Sequence, residues 1–303
     1  MSKQIDYNKS QAEAYGWTPE WFSATAFDQQ LVDNIAAYQR SKGLTADGMC
    51  GPSTYRIKYN EIESSGNFVL SHSITDGDKY IVADGNAVEI FWDKVLLWTQ
   101  DPKFAAKSYT DMGGKPERTV NMFVNHWDVC LSSSSCQNVL NNRGLSVQFL
   151  LDNDGTIIQT TDMQNICYHA GRTVNNVSVG VEISDAYYLK YQDWYEKNGF
   201  GPRPIWSDAK VHGSTLEPFL GFYDVQVKAL AALWEAVSYA YDIPLEIPDN
   251  DHTVSSSVAN GTFRGVVNHY NITSKKIDCA GLDNEAVLAR AKQLRKKRII
   301  QER

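Results

Sequence analysis

The sequence predicts an α/β fold preceded by a small helical domain. Three observations carry this. Apolar runs at Val120 to Val124, Leu145 to Leu151 and Val177 to Ile183 have the length and composition of strands. Downstream of them, Tyr223 to Tyr241 forms an amphipathic helix with Val225, Ala229, Leu230, Leu233, Trp234 and Val237 on one side. Ahead of them, Leu31, Ile35, Ala36 and Tyr38 recur at helical spacing with no strand signal.

The 303 residues suit two domains, and 43% hydrophobic content is enough to bury a large core. We divide the chain into residues 1–62, 63–117 and 118–303. In the first part, Gly43-Leu44-Thr45-Ala46-Asp47-Gly48 breaks a helix with turn residues. Pro52 and Ser53 then open a second one. In the middle part, Val88 to Trp98 alternates as a strand does, and Asp84-Gly85-Asn86 suggests a hairpin turn. This block reads as a linker or insertion and receives no function. In the third part, Asp152-Asn153-Asp154-Gly155 closes one strand and starts another at Thr156. A short strand, Thr262 to Val267, ends at Asn268-His269.

The net charge of −7 argues against nucleic acid as a partner. The stretch Arg290 to Arg303 is strongly basic. It reads as the solvated face of a terminal helix, or as a contact for an anionic surface. Five cysteines, Cys50, Cys130, Cys136, Cys167 and Cys279, are an odd number at irregular spacing. That is no disulfide framework and fits a reducing compartment or a metal ligand. Cys130 and Cys136 could pair locally after release, although no sequence signal marks such a bond. The N-terminus MSKQIDYNKSQ has no apolar signal region, and no apolar run reaches membrane-spanning length. The expectation is a protein made in the cytoplasm without a signal peptide.

Two histidines sit where apolar runs end: His126 after Phe123-Val124-Asn125, and His269 after Val266-Val267-Asn268. Strand ends are where open α/β sheets place their sites. Ten positions after His269 comes Cys279, preceded by Asp278. Two imidazoles and one anionic ligand, with a fourth position open to water, make a recurrent catalytic zinc arrangement. Spacing alone leaves open that both histidines are structural and that the cysteine is a small hydrophobe.

Four segments taken together resemble the zinc amidase family. They are Phe123 to Asp128 (FVNHWD), Leu151 to Gln159 leading to Tyr168-His169-Ala170-Gly171, Val177 to Ile183 (VSVGVEI), and Val266 to Gly281. That family includes phage lysozyme-type amidases, bacterial anhydro-muropeptide amidases and animal peptidoglycan-recognition proteins. The resemblance spans roughly residues 120–291. It implies a mixed central sheet flanked by helices, and Zn2+ held by His126, His269 and a third ligand. The family's third ligand is Cys or Asp before Pro-Gly. Cys279-Ala280-Gly281 fits with Pro changed to Ala and is preferred here; Asp278 is the alternative.

The resemblance also implies that His169 lines the substrate cleft, with Tyr168 and Trp127 beside it as substrate-binding residues. It makes Glu182 the proton carrier of the hydrolysis. Other members use a Tyr ahead of the Asp-Gly hairpin, but Val147 occupies that place here. Lys276, or Lys275 one position earlier, corresponds to a residue that steadies the oxyanion. His72, His212 and His252 read as surface or structural.

Residues 35–57 carry a second resemblance, to the three-helix peptidoglycan-binding domain, through Tyr38-Gln39, Gly43-Leu44, Asp47-Gly48 and Gly51 to Thr54. Together the two imply an N-acetylmuramoyl-L-alanine amidase whose partner is bacterial peptidoglycan. A phage endolysin, acting on the wall after release from the host cytoplasm, is the expected setting. The alternatives are a non-catalytic recognition protein and a virion-associated component that degrades the wall.

Overall fold

The computed structural model describes residues 3–66, 77, 79–113, 115, 118–249 and 252–302. Two compact units emerge: Met1–Phe68 with Asn138–Arg143, and Val69–Gln137 with Gly144–Arg303. His72 lies outside the described residues.

The first unit is helical, with α1 (Lys3–Tyr15), α2 (Gln29–Ser41) and α3 (Pro52–Ser65). Asp28 caps α2 by accepting from the Leu31 amide at 3.1 Å. The buried Gln39 explains the sequence pattern noted above. Its Nε2 donates to Asp47 Oδ1, the Met49 carbonyl and Thr54 Oγ1, and its Oε1 accepts from the Gly48 amide at 2.9 Å. One side chain thus ties the Asp-Gly turn to the start of α3. Gly48 has φ +71°, and a Cβ there would meet Val32 at 2.6 Å. Both facts require glycine.

In the second unit, β1 (Tyr80–Ala83) and β2 (Asn86–Glu89) form the expected antiparallel hairpin around Asp84-Gly85. The rest of the Val88 to Trp98 run is not one strand. It breaks and resumes as β3 (Val95–Leu97), which pairs in parallel with β7 (Ile157–Gln159). Within the 63–117 block, β3 therefore supplies an edge strand to the main sheet. A further strand, β4 (Tyr109–Thr110), pairs with β8 (Ile166–Cys167).

The main sheet also contains β5 (Met122–Trp127), β6 (Phe149–Leu151), β9 (Ser178–Ile183) and, late in the chain, Gly265–Asn268. Between β5 and β6 runs α4 (Ser133–Asn142). The segment after β8 carries α5 (Arg172–Asn175). After β9 come α6 (Gln192–Lys197) and two small ribbons. In these, β10 (Ile205–Trp206) pairs with β13 (Phe219–Leu220), and β11 (Lys210–Val211) with β12 (Ser214–Thr215). Then follow α7 (Asp224–Ala240), α8 (Ser256–Ala259), β14 (Gly265–Asn268) and α9 (Asn284–Gln301). The sheet order is β14-β5-β9-β6-β7-β3, parallel throughout except for the β6–β7 hairpin.

Alternation along the strands divides the sheet into two faces. Phe123, Trp127, Val179, Val181, Ile183 and Val266 join Leu230, Leu233 and Trp234 of α7 in the main core. Met122, Val124 and Val267 lie on the opposite face, with Ala170, Val174 and Val258. The second face is where His126 and His269 emerge.

The basic end of the chain does not present all its charge to solvent. Helix α9 packs on α7, and Glu235 of α7, fully buried, accepts from Arg295 at 2.8 Å and from Arg298 at 2.7 Å. A buried carboxylate needs such partners. This commits two of the cations internally. No helix among the described residues is long and apolar enough to cross a membrane.

Candidate metal and catalytic centre

β5 and β14 run side by side in parallel, with Asn125 opposite Asn268. His126 and the residue after β14, His269, therefore reach the same level on the open face. Their Nδ1 atoms are 2.8 Å apart, and Asp278 Oδ2 lies 3.3 Å from His126 Nδ1 and 3.0 Å from His269 Nδ1. One potential ligand atom from each of the three falls within 4.8 Å of the other two, and all three residues are buried.

The electrostatics suit a cation. Burial, and then the neighbouring His269, hold His126 down to about 4, so its ring is neutral at ordinary pH. Burial pushes Asp278 the other way. The charge of His269 and the hydrogen bonds from both imidazoles outweigh it, and the carboxyl is held well below its usual range. Two imidazoles and a carboxylate sharing one point are a donor set that fits Zn2+.

Cys279 does not join this group. It is fully buried in the main core, with its thiol pushed well above the ordinary value by burial first and then by Asp278. The preference for Cys279 as third ligand is therefore corrected in favour of Asp278. The chain turns at this point, and consecutive residues face opposite sides.

His169 stands behind His126. Its Nδ1 is 2.9 Å from His126 Nε2, and its Nε2 is 3.4 Å from Ser178 Oγ. Burial and the adjacent His126 keep His169 well below the ordinary imidazole value. Asn175 shapes this turn, accepting from the amides of His169 and Ala170 at 3.2 and 2.7 Å. Gly180 leaves room for the ring: a Cβ there would meet His169 Cε1 at 2.7 Å. Sequence reasoning missed Ser178, Asn175 and Gly180. A glycine inside an otherwise apolar strand was the available signal for close approach.

Glu182 is the register partner of His126 on β9, half-buried on the same face. Tyr168 is half-buried, its hydroxyl 3.0 Å from Thr110 Oγ1. Trp127 points the other way. It is buried against Tyr187 and Phe219, with ring centroids 4.9 and 5.5 Å away, so it belongs to the core rather than to a substrate surface. Lys275 and Lys276 are both exposed on the loop between His269 and Asp278. Lys276 is near enough to contribute to the lowering of His126, and its carbonyl lies 2.9 Å from His212 Nε2. His252 stacks on Tyr270.

Asp128, Cys130 and Cys136 form a second buried group within 4.8 Å. Asp128 already accepts from the amides of Cys130 and Asp185 and from the Ser184 hydroxyl. The two cysteines are free thiols. Cys167 is buried as well, its thiol pushed up to about 12 by burial.

Residues 116–281 match the N-acetylmuramoyl-L-alanine amidase family. Residues 13–57 match a peptidoglycan binding domain. Among solved structures, the chain is similar to the N-acetylmuramyl-L-alanine amidase AmiD from E. coli, solved in complex with anhydro-N-acetylmuramic acid-L-Ala-D-gamma-Glu-L-Lys. Identity is 18%, covering 61% of this chain and 66% of that one, with TM-score 0.39. It is also similar to the N-acetylmuramoyl-L-alanine amidase LysC from Clostridium intestinale URNW, at 14% identity, 65% and 97% coverage and TM-score 0.37. Drosophila PGRP-LB is similar at 14% identity, 59% and 84% coverage and TM-score 0.32. No curated protein matches the chain.

Proposed function

This chain belongs to the N-acetylmuramoyl-L-alanine amidase family, and from that membership we propose that it cuts peptidoglycan with Zn2+ held by His126, His269 and Asp278. The enzyme is a peptidoglycan amidase with a wall-binding domain ahead of it. The bond it hydrolyses is the amide between the lactyl group of N-acetylmuramic acid and the first L-Ala of the stem peptide. The observation that carries the metal reading is the meeting of two imidazole nitrogens and one carboxylate oxygen at a single buried point.

Bound zinc would polarise the scissile carbonyl and acidify a water, which an amide needs because its amine is a poor leaving group. The chain's own residues do the rest. Glu182, level with His126 on the neighbouring strand, takes a proton from the attacking water and returns it to the departing L-Ala amine. Lys276 places a cation at the mouth of the site, where negative charge develops on the carbonyl oxygen. His169 fixes the ring of His126 through Nε2. Tyr168 borders the same turn and contacts substrate.

Mass spectrometry of digested peptidoglycan tests the bond assignment. The expected products are glycan strands bearing free lactyl carboxylates and stem peptides with free L-Ala N-termini. Products cut within the glycan or within the peptide would contradict it. The narrower proposal is a phage endolysin, supported by the joining of a wall-binding unit to an amidase. Expression in a host should then cause lysis only once the inner membrane is breached.

A further inference from the structure

Both ligand-bearing segments read Asn-His: Asn125-His126 and Asn268-His269. The asparagines are register partners on β5 and β14. The pleat turns them away from the imidazoles and toward α7 and α9. On that side Trp234 Nε1 donates to Asn125 Oδ1 at 3.0 Å. Asn125 Nδ2 donates to Asn268 Oδ1 and to the Val267 carbonyl, both at 3.1 Å. Asn268 Nδ2 donates to the Tyr270 hydroxyl at 2.8 Å, and Asn284 Nδ2 of α9 reaches the same oxygen at 3.1 Å. The backbone amide of Tyr270 then donates to the carbonyl of Asp278 at 3.0 Å. All five residues are buried.

Apolar side chains would fill this helix–sheet interface at less cost, because each buried amide or hydroxyl must find partners to offset its desolvation. The placement is also specific. The chain of bonds starts beside the first ligand, passes beside the second and ends on the main chain of the third. Among the described residues β14 pairs as a strand with β5 alone, and its other side carries one backbone bond, from the Val266 amide to the Glu246 carbonyl at 2.8 Å. A continuous ladder thus holds it on one side and a single bond on the other.

We propose that this buried chain, Trp234–Asn125–Asn268–Tyr270 with Asn284, is a positioning device that sets the mutual distances of His126, His269 and Asp278. The inference rests on reading those three as metal ligands. The chain touches neither metal nor substrate. It limits how far β14 and the Asp278 turn can shift against β5, and it ties both to the two long helices. Geometry held from behind the ligands commonly governs metal affinity.

The test uses the full chain and three readouts: the zinc Kd by chelator competition, the visible spectrum of the cobalt-loaded protein, and the thermal midpoint without metal. Tyr270→Phe removes only the hydroxyl, and Trp234→Phe only the indole donor and part of the ring. Val237→Ala is the control. It opens a cavity in the same core and leaves the hydrogen bonds untouched. We expect Tyr270→Phe and Trp234→Phe each to raise the zinc Kd ~10-fold or more and to shift the cobalt bands. Val237→Ala should lower the midpoint and leave the Kd within ~2-fold of wild type. If one of the two variants fails to fold, the other decides. A Kd and cobalt spectrum unchanged in Tyr270→Phe and Trp234→Phe would overturn the inference alone, as would an equal rise in Val237→Ala. A wild-type protein that binds neither metal would overturn the ligand reading, and this inference with it.

Discussion

Nε2 of His126 lies 2.9 Å from Nδ1 of His169, so the ring whose other nitrogen faces His269 and Asp278 is braced by a third imidazole. On the proposed reading, that contact sets the tilt of His126 and leaves Nδ1 as the nitrogen it offers. His169→Ala should weaken zinc binding ~10- to 100-fold, measured by chelator competition. Wild-type affinity in the variant would mean that His169 only borders the cleft.

Gly180 should tolerate no side chain. A Cβ would come within 2.8 Å of two His169 ring atoms, and Val147 blocks retreat at 3.0 Å. Gly180→Ala is expected to keep the circular dichroism of the native fold while kcat/KM falls ~10-fold or more, because the brace on His126 is displaced. Full activity in this variant would remove His169 from the positioning of His126.

Glu182→Gln keeps the shape of the side chain and removes its basicity. Zinc content and thermal midpoint should persist while turnover falls ~10²-fold. The comparison is kcat on purified walls beside metal analysis of the same sample. Unchanged turnover would take Glu182 out of the proton transfer.

Asp128 gives a pH prediction. Burial raises its carboxyl to about 8, against the pull of the donors from Cys130, Asp185 and Ser184. An unfolded chain releases that proton near ~4. Between these values the folded chain holds a proton that the unfolded chain has lost. The stabilisation is therefore complete below ~pH 4 and is lost as pH rises through about 8. Asp128→Asn cannot ionise, and its amide oxygen still accepts from the two backbone amides. In chelator, its thermal midpoint relative to wild type should climb between ~pH 5 and ~pH 8. A difference that stays flat with pH would contradict the protonated assignment.

The wall-binding unit offers a separable test. Gln39→Ala leaves buried donors and acceptors around Asp47, Gly48 and Thr54 without their shared partner, at a cost of about 1–3 kcal/mol. Co-sedimentation with intact walls should fall, while hydrolysis of a soluble muropeptide stays near wild type. Unaltered sedimentation would dissociate the Gln39 hub from wall binding.

Much of the fold was legible because its signals are local. Apolar runs ending in Asn-His mark β5 and β14, Asp-Asn-Asp-Gly marks the β6–β7 hairpin, and the stripe on α7 marks the core face. What stayed hidden depends on the direction of single side chains. Asp278 and Cys279 are neighbours in sequence, and only the turn that follows Tyr270 decides which of them faces the histidines. The resemblance implied that Trp127 is a substrate contact, yet alternation along β5 sends it into the opposite layer. The expected strand over Val88 to Trp98 contains β3, but its break after β2 was unreadable because three residues paired in parallel at an edge carry almost no periodicity of their own. Arg295 and Arg298 read as surface charge because their partner, Glu235, lies on another helix.

Zinc content by mass spectrometry in Asp278→Ala and Cys279→Ser, each purified beside wild type, tests the centre most directly. The account predicts one tightly held zinc per chain in wild type and in Cys279→Ser, and its loss together with amidase activity in Asp278→Ala. Metal retained by Asp278→Ala and lost from Cys279→Ser would contradict it.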